Sequence, residues 1–222
     1  MKIGVVSDTH GFFDARLGEL LAGVELILHA GDVGNLEVLD ELERIAPVRA
    51  VKGNIDSPLA GLPLSLTLRL KELRGRGGAR TAPTTAFASG ADLKSPFQVE
   101  VLHELPAAQS DLEKWANRAR IEALAARGRD ALLRAFDQKT RVVIFGHSHV
   151  PCAVALCGRL FFNPGSAGKK RFFLPRCCGL LELSAKQIEA TILSLQQYNR
   201  KLPEKVVMQF DARVALHDQP PK

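Results

Sequence analysis

KIGVVSDTH, residues 2–10, decides how this chain is read: a short β-branched apolar run empties into three consecutive polar residues, Asp8, Thr9 and His10. A brief apolar stretch bounded in this way reads as a buried strand, and the polar residues as the loop at its carboxyl end. The pattern recurs. VELILHA at 24–30 precedes Gly31 and Asp32, and VRAVK at 48–52 precedes Gly53 and Asn54. Helix patterns lie between these runs: Leu17, Leu20 and Leu21 follow Asp14 as an N-cap and close at Gly23, and residues 36–45 form a second. Strands alternating with helices predict a βαβαβ start and a largely parallel sheet. In such sheets ligands bind where loops converge beyond the carboxyl ends of the strands, and the polar residues stand there.

Further along, LSLTLRL (64–70) and FQVEVLH (97–103) read as neighbouring strands joined by a long loop. Its residues 74–96 are rich in Gly, Ala, Thr, Ser and Arg without apolar periodicity, which predicts mobility. Residues 111–137 carry helical spacing through Ile121, Leu124, Leu132 and Phe136, interrupted at Gly128. RVVIF (141–145) then ends in Gly146, His147, Ser148 and His149, and short runs at 153–157, 160–163, 178–183 and 188–193 predict a β-rich second half. The expected organisation is one domain over 1–195, with an inserted loop at about 74–96 and an extra helical segment at about 106–138, followed by a C-terminal extension at 196–222.

Composition bounds the function. The chain has 222 residues, 46% hydrophobic and 24% charged, which is globular rather than disordered or fibrous. A domain of this size buries roughly 70% of its unfolded surface, so a metal is expected for chemistry rather than for holding the fold. Cys152, Cys157, Cys177 and Cys178 have no CxxC spacing and read as reduced thiols. The N-terminal apolar run is too short for a signal-peptide core, and no apolar segment reaches the roughly 18 residues of a membrane helix; the expected location is cytoplasmic. The net charge of +6 is concentrated in residues 69–80 and 169–176, leaving a nearly neutral remainder. Exposed basic runs of this kind usually solvate a protein and only sometimes attract phosphate or nucleic acid.

The polar clusters at strand ends supply seven oxygen and nitrogen ligands: Asp8, His10, Asp32, Asn54, His103, His147 and His149. Two carboxylates, one carboxamide and four imidazoles suit Mn, Fe, Co, Ni or Zn better than Ca or Mg. Seven ligands exceed one tetrahedral site; they match two metals with four ligands each that share one carboxylate. Residues at i and i+2 of an extended segment point the same way, so Asp8 with His10, and His147 with His149, can converge. The glycines before Asp32, Asn54 and His147 permit tight turns and close backbone approach. His29 reads as a packed histidine that orients Asp32, His217 as solvated, and Ser7 and Thr9 as loop hydrogen bonders, since no Ser/His/Asp order supports a nucleophile. Asn163, Pro164, Gly165 and Ser166 form either a structural turn or a set of N–H groups facing the site.

SDTHG at 7–11, HAGD at 29–32, VKGNID at 51–56, VLH at 101–103, GHSHVP at 146–151 and NPGS at 163–166 resemble, in order, the blocks of the calcineurin-like metallophosphoesterase superfamily. Over residues 1–184 the chain is similar to the small single-domain phosphodiesterases of bacteria and archaea. The resemblance implies an α/β fold, a four-layer α/β/β/α sandwich of two mixed β-sheets flanked by helices. It implies Asp8, His10, Asp32 and His149 on one metal, and Asp32, Asn54, His103 and His147 on the other, with Asp32 as the bridge. Two divalent ions are expected, manganese first, with nickel, cobalt, iron and zinc as alternatives. The implied activity is phosphodiester hydrolysis by in-line attack of a metal-bridging hydroxide, with Asp32, Asn54 and His147 as catalytic residues. The implied partner is a phosphodiester substrate; a homo-oligomer is compatible, nucleic acid is compatible but not favoured, and no membrane is expected.

Two other readings belong to the same superfamily: a nuclease acting on DNA or RNA, and a protein-interaction scaffold like the small retromer subunit, against which the full ligand set weighs. Three departures mark this chain. Ile55 and Asp56 follow Asn54 where many relatives carry a histidine that protonates the leaving group, so water, Asp56 or the substrate is left to supply that proton. Glu104 follows His103 where the family has Gly, which bears on how that ligand is presented. The segments at 74–96 and between His103 and His147 are long, and the extra helix is placed as a lid.

Overall fold

A computed structural model describes residues 1–57, 59, 61–69, 98–106, 134–156, 158–170, 173–184, 187–196 and 205–209. The expected loop at 74–96, the expected helix over most of 106–138, Cys157 and the tail carrying His217 lie outside the described residues. In chain order the elements are β1 (Lys2–Val6), α1 (Arg16–Leu20), β2 (Leu26–His29), α2 (Leu36–Glu43), β3 (Val48–Ala50), β4 (Ser65–Arg69) and β5 (Gln98–Leu102). There follow β6 (Thr140–Ile144), β7 (Cys152–Leu156), β8 (Arg159–Asn163), β9 (Cys177–Leu183), β10 (Gln187–Ser194) and β11 (Val206–Gln209).

These strands form two mixed sheets, ordered β11-β10-β9-β1-β2-β3 and β4-β5-β6-β8-β7. β1, β2 and β3 run parallel, as the βαβαβ pattern predicts, and β9, β10 and β11 extend that sheet antiparallel from the other side of β1. In the second sheet β5, β6 and β8 are parallel, while β4 and β7 close the edges antiparallel.

The two-residue period of each strand sorts its side chains between layers. Ile3, Val5, Leu26 and Leu28 meet Val142, Ile144, Leu160 and Phe162 in the core between the sheets. Val6 and Ile27 face outward and pack with Leu17 and Leu21 around α1 and with Val38, Leu39 and Leu42 of α2. On the outer face of the second sheet Val143, Phe145, Val154 and Phe161 form a third cluster, against which the part-buried Phe136 rests. Full burial of one such aliphatic or aromatic side chain contributes about 1.5–3 kcal/mol. The architecture is the expected α/β type with two mixed sheets.

Helix ends are where the structure departs from the sequence pattern. Asn35 caps α2 by accepting the Val38 N–H at 3.2 Å. The N-cap position of α1 is Ala15 and not Asp14, yet the Asp14 carboxylate takes the Arg16 backbone N–H at 3.0 Å together with the Arg16 guanidinium at 2.8 Å and the Arg176 guanidinium at 2.7 Å. A carboxylate offers enough lone pairs to take one helix N–H and two cations at once. Strand β11 also falls in the stretch read as an extension; it pairs with β10 and places Met208 in the inter-sheet core.

Candidate metal centre

All seven candidate ligands stand just beyond the carboxyl ends of β1, β2, β3, β5 and β6, where loops from both sheets meet. The backbone there is strained. Asp8, His10, Asp32, His147 and His149 have φ of 53, 49, 53, 69 and 61°, and they are the non-glycine residues with positive φ among those described. An L residue in this left-handed region costs about 1–2 kcal/mol and persists only where its surroundings over-determine it, which happens at functional sites. The five strained residues are five of the seven ligands that spacing picks out.

The side chains converge into two groups. In one, His10 Nε2 lies 3.1 Å from His149 Nε2, and His149 Nε2 lies 3.2 Å from Asp8 Oδ1. In the other, Asn54 Oδ1 is 3.1 Å from both His103 Nε2 and His147 Nδ1. Asp32 stands between them, with Oδ1 3.4 Å from His103 Nε2 and Oδ2 3.9 Å from His10 Nε2. Ligand atoms of Asp8, His10 and His149 fall within 4.8 Å of one another, as do those of Asp8, Asp32 and His103. Asp8, Asp32, His103 and His149 are buried, whereas Asn54 and His147 are exposed, so the cluster opens to solvent on their side. Glu104 is exposed and does not displace His103.

The hydrogen bonding of His103 tests whether this donor set fits a cation. Its Nδ1 donates to the Ala30 carbonyl at 2.8 Å, so in the neutral ring Nε2 is a lone pair facing the acceptor oxygens of Asn54 and Asp32. Acceptors converge in this way favourably only around positive charge. The field agrees: burial disfavours a charged His103, yet Asp32, Asp8 and the Ala30 carbonyl raise its pKa above the ordinary value. Burial likewise opposes ionisation of Asp32, but His103, the Ile55 N–H and His10 hold its carboxyl down at about 2. The residues present fit divalent cations, and the orientation of His103 by a backbone carbonyl is the usual support for a metal-binding imidazole.

A surrounding layer of polar side chains fixes the strained loops. Ser7 Oγ donates to Asp8 Oδ2 at 2.7 Å, and the His147 N–H reaches both Asp8 oxygens at 3.1–3.2 Å. His29 is buried to a pKa of about 4 and is therefore neutral; its Nδ1 accepts the Gly31 N–H, so Nε2 donates to Thr9, whose hydroxyl donates to the Val33 carbonyl. His29 thus holds Gly31 and Thr9 rather than the expected Asp32 carboxylate, and Ser7 and Thr9 act as the loop hydrogen bonders that the sequence suggests. Close approach leaves no room for side chains: a Cβ on Gly53 would strike the Asp32 backbone N, and one on Gly146 would strike Ser7 Oγ.

Sequence reasoning missed three supports. Asp56, considered as a proton donor, is fully buried, and its two oxygens accept the N–H groups of Val33, Gly34 and Gly53 at 2.8–3.0 Å, so it serves as an anchor. Asn163 donates to the Gly146 carbonyl and to Ser148 Oγ, which holds the turn between the two histidines. The NPGS segment is a buttress: Ser166 Oγ and the Gly168 N–H both bond the Asp8 carbonyl, and the Ala167 N–H bonds that of Ser7. Its turn-forming composition was visible; its partner was not.

Comparison with known proteins places this geometry. Residues 1–186 match the model of the calcineurin-like phosphoesterase superfamily domain. A probable metallophosphoesterase of Methanothermobacter thermautotrophicus is 29% identical over 203 residues, covering 87% of this chain and 92% of that protein. One from Methanocaldococcus jannaschii is 27% identical, covering 89% and 83%. The fold is similar to that of Vps29 from Entamoeba histolytica, at 20% identity and a TM-score of 0.59 over 95% of this chain and 100% of that one. It is also similar to a predicted phosphoesterase of Streptococcus pneumoniae, at 19% identity and a TM-score of 0.55 over 94% and 97%. With a family match along most of its length and a convergent set of side chains that could hold a metal ion at its strand ends, this chain belongs to the calcineurin-like phosphoesterase superfamily.

Proposed function

We propose that this chain is a cytoplasmic, manganese-dependent phosphodiesterase with two metal positions, Asp8, His10, Asp32 and His149 at one, and Asp32, Asn54, His103 and His147 at the other. The single observation that carries this reading is the placement of Asp32, whose two oxygens face different imidazole groups, His103 and His10. Asp8 is less suited to bridging, because its Oδ2 takes two protein donors, Ser7 Oγ and the His147 N–H, whereas Asp32 Oδ1 takes one, the Ile55 N–H. When bound, two divalent cations polarise a phosphoryl group and lower the pKa of water between them. The protein's own part is to hold seven ligands in register and to leave the Asn54 and His147 side open for the ester.

Neither residue that follows Asn54 is placed to protonate a leaving group: Ile55 is apolar, and the Asp56 oxygens are occupied by backbone N–H groups. This favours esters with good leaving groups, with the proton coming from water. Arg176, part of the basic run at 169–176, is bound to Asp14, which leaves less charge for a nucleic-acid surface and supports a small phosphodiester.

The test is hydrolysis of bis(p-nitrophenyl) phosphate and p-nitrophenyl phosphate after chelation and re-addition of Mn, Ni, Co, Zn or Mg. The diester is expected to react faster, and Asp32→Ala and His147→Ala to lose at least a hundredfold in turnover. Unchanged activity in either variant, or in chelated protein, overturns the reading.

A further inference from the structure

Asp8 sits in a left-handed conformation, with φ of 53°, and its carbonyl is held by two donors from 158 or more residues away, Ser166 Oγ at 2.8 Å and the Gly168 N–H at 3.2 Å. The Ala167 N–H adds a third bond, to the Ser7 carbonyl at 3.0 Å. The turn at 166–168 is itself clamped. Arg176 Nε donates to the Gly168 carbonyl and Nη2 to that of Ala167 at 3.2 Å, while Nη2 also pairs with Asp14 at 2.7 Å. The guanidinium plane lies 5.1 Å from the Phe12 ring centroid, on the loop that carries His10. A planar fork that meets two carbonyls and a carboxylate at once is a task for Arg and not for Lys.

Resting on the two-metal reading above, we propose that Arg176 is a positioning residue chiefly for one metal position, that of Asp8, His10 and His149. By fixing the carbonyls of Ala167 and Gly168 it keeps their neighbouring donors on the Ser7 and Asp8 carbonyls, and thereby keeps Asp8 Oδ1 turned toward His149. His103 and the loop of Asn54 are held by other groups, the Ala30 carbonyl and Asp56, which Arg176 does not touch; the link between the two positions is the His147 N–H, which bonds the Asp8 carboxylate. The two metal positions therefore differ in what they depend on, and one is coupled to the segment between β8 and β9.

Titration of metal-free protein with Mn2+ by calorimetry, with electron paramagnetic resonance to count bound ions, tests this. Wild type is expected to bind two ions. Arg176→Gln is expected to weaken one of them about tenfold or more and leave the other within about twofold, the range in which outer partners of a metal ligand act. Asp14→Asn, which keeps the guanidinium but removes its anchor, weakens the same ion less, and this milder variant serves if Arg176→Gln fails to fold. Lys170→Gln, at an exposed position in the same basic run, leaves both ions unchanged. Equal weakening of both ions, or of neither, in the Arg176 and Asp14 variants overturns the proposal while the two-metal reading stands. A wild-type trace with a single ion overturns both, and is read before any variant is made.

Discussion

The two central carboxylates are anchored by different devices. The loop of Asp32 is fastened directly: Asp56, two residues beyond Asn54, takes the N–H groups of Val33, Gly34 and Gly53, and so ties the loops after β2 and β3 together with one buried group. The loop of Asp8 is fastened through a relay, from Asp14 to Arg176, from Arg176 to the Ala167 and Gly168 carbonyls, and from that turn to Ser7 and Asp8. The direct anchor involves a short stretch of chain and resists distant change. The relay crosses most of the sequence and makes one half of the site sensitive to its C-terminal portion.

Breaking the direct anchor gives the largest effect. Asp56→Ala leaves three N–H groups without their acceptor, each costing about 1–3 kcal/mol when buried, so a loss of roughly 4 kcal/mol is expected in urea denaturation of the metal-free protein. Asp56→Asn retains one acceptor oxygen and should lose about half as much. A loss below about 1 kcal/mol for the Ala variant would mean that the β2 and β3 loops are held by something else.

That contrast also marks what the sequence reveals. Strands β1 to β10 are legible because alternating apolar residues serve both core faces, and the seven ligands because they recur just after those strands behind glycines. β11 escapes notice, since four residues with one inward side chain, Met208, carry almost no period. The anchors escape for a different reason. Nothing in the local spacing of Asp56, Asp14 or Arg176 names a partner; Asp56 follows Gly53, Asn54 and Ile55 and reads as one source of a proton, and Arg176 ends a run that reads as exposed charge. An ion pair or a carboxylate anchor is a tertiary fact, created when the loops meet.

The relay carries an acid signature that the direct anchor allows one to separate. Hydrogen bonding from Arg16, opposed by burial and helped by Arg176, holds the Asp14 carboxyl down to about 2 from its ordinary 3.8. A lowered carboxyl pKa stabilises the fold when ionised, so its contribution is whole above about pH 3.8 and is lost as pH falls through about 2. Metal-free wild type should exceed Asp14→Asn by about 1–2 kcal/mol at pH 6, a figure discounted because the Arg16 side chain is 47% exposed. The gap should close toward pH 2. A gap that is constant over that range would assign the effect of Asp14 to packing.

The smallest expected effect lies closest to the proposed metal ligands. Ser7 Oγ donates to Asp8 Oδ2 at 2.7 Å and reaches the Ala30 carbonyl at 3.3 Å, yet neither acceptor depends on it. Asp8 Oδ2 keeps the His147 N–H at 3.1 Å, and the Ala30 carbonyl keeps His103 Nδ1 at 2.8 Å. Ser7→Ala therefore removes a hydrogen bond without leaving a buried group unpaired, and should cost about 1 kcal/mol, a shift of a few degrees in Tm. Mn2+ affinity at the Asp8 position should change by no more than about threefold, well short of the loss in Arg176→Gln, because the backbone conformation of Asp8 is set by its carbonyl and not by its side chain. If Ser7→Ala instead weakened Mn2+ as much as Arg176→Gln did, the carboxylate oxygen and not the backbone relay would be what holds Asp8 in place.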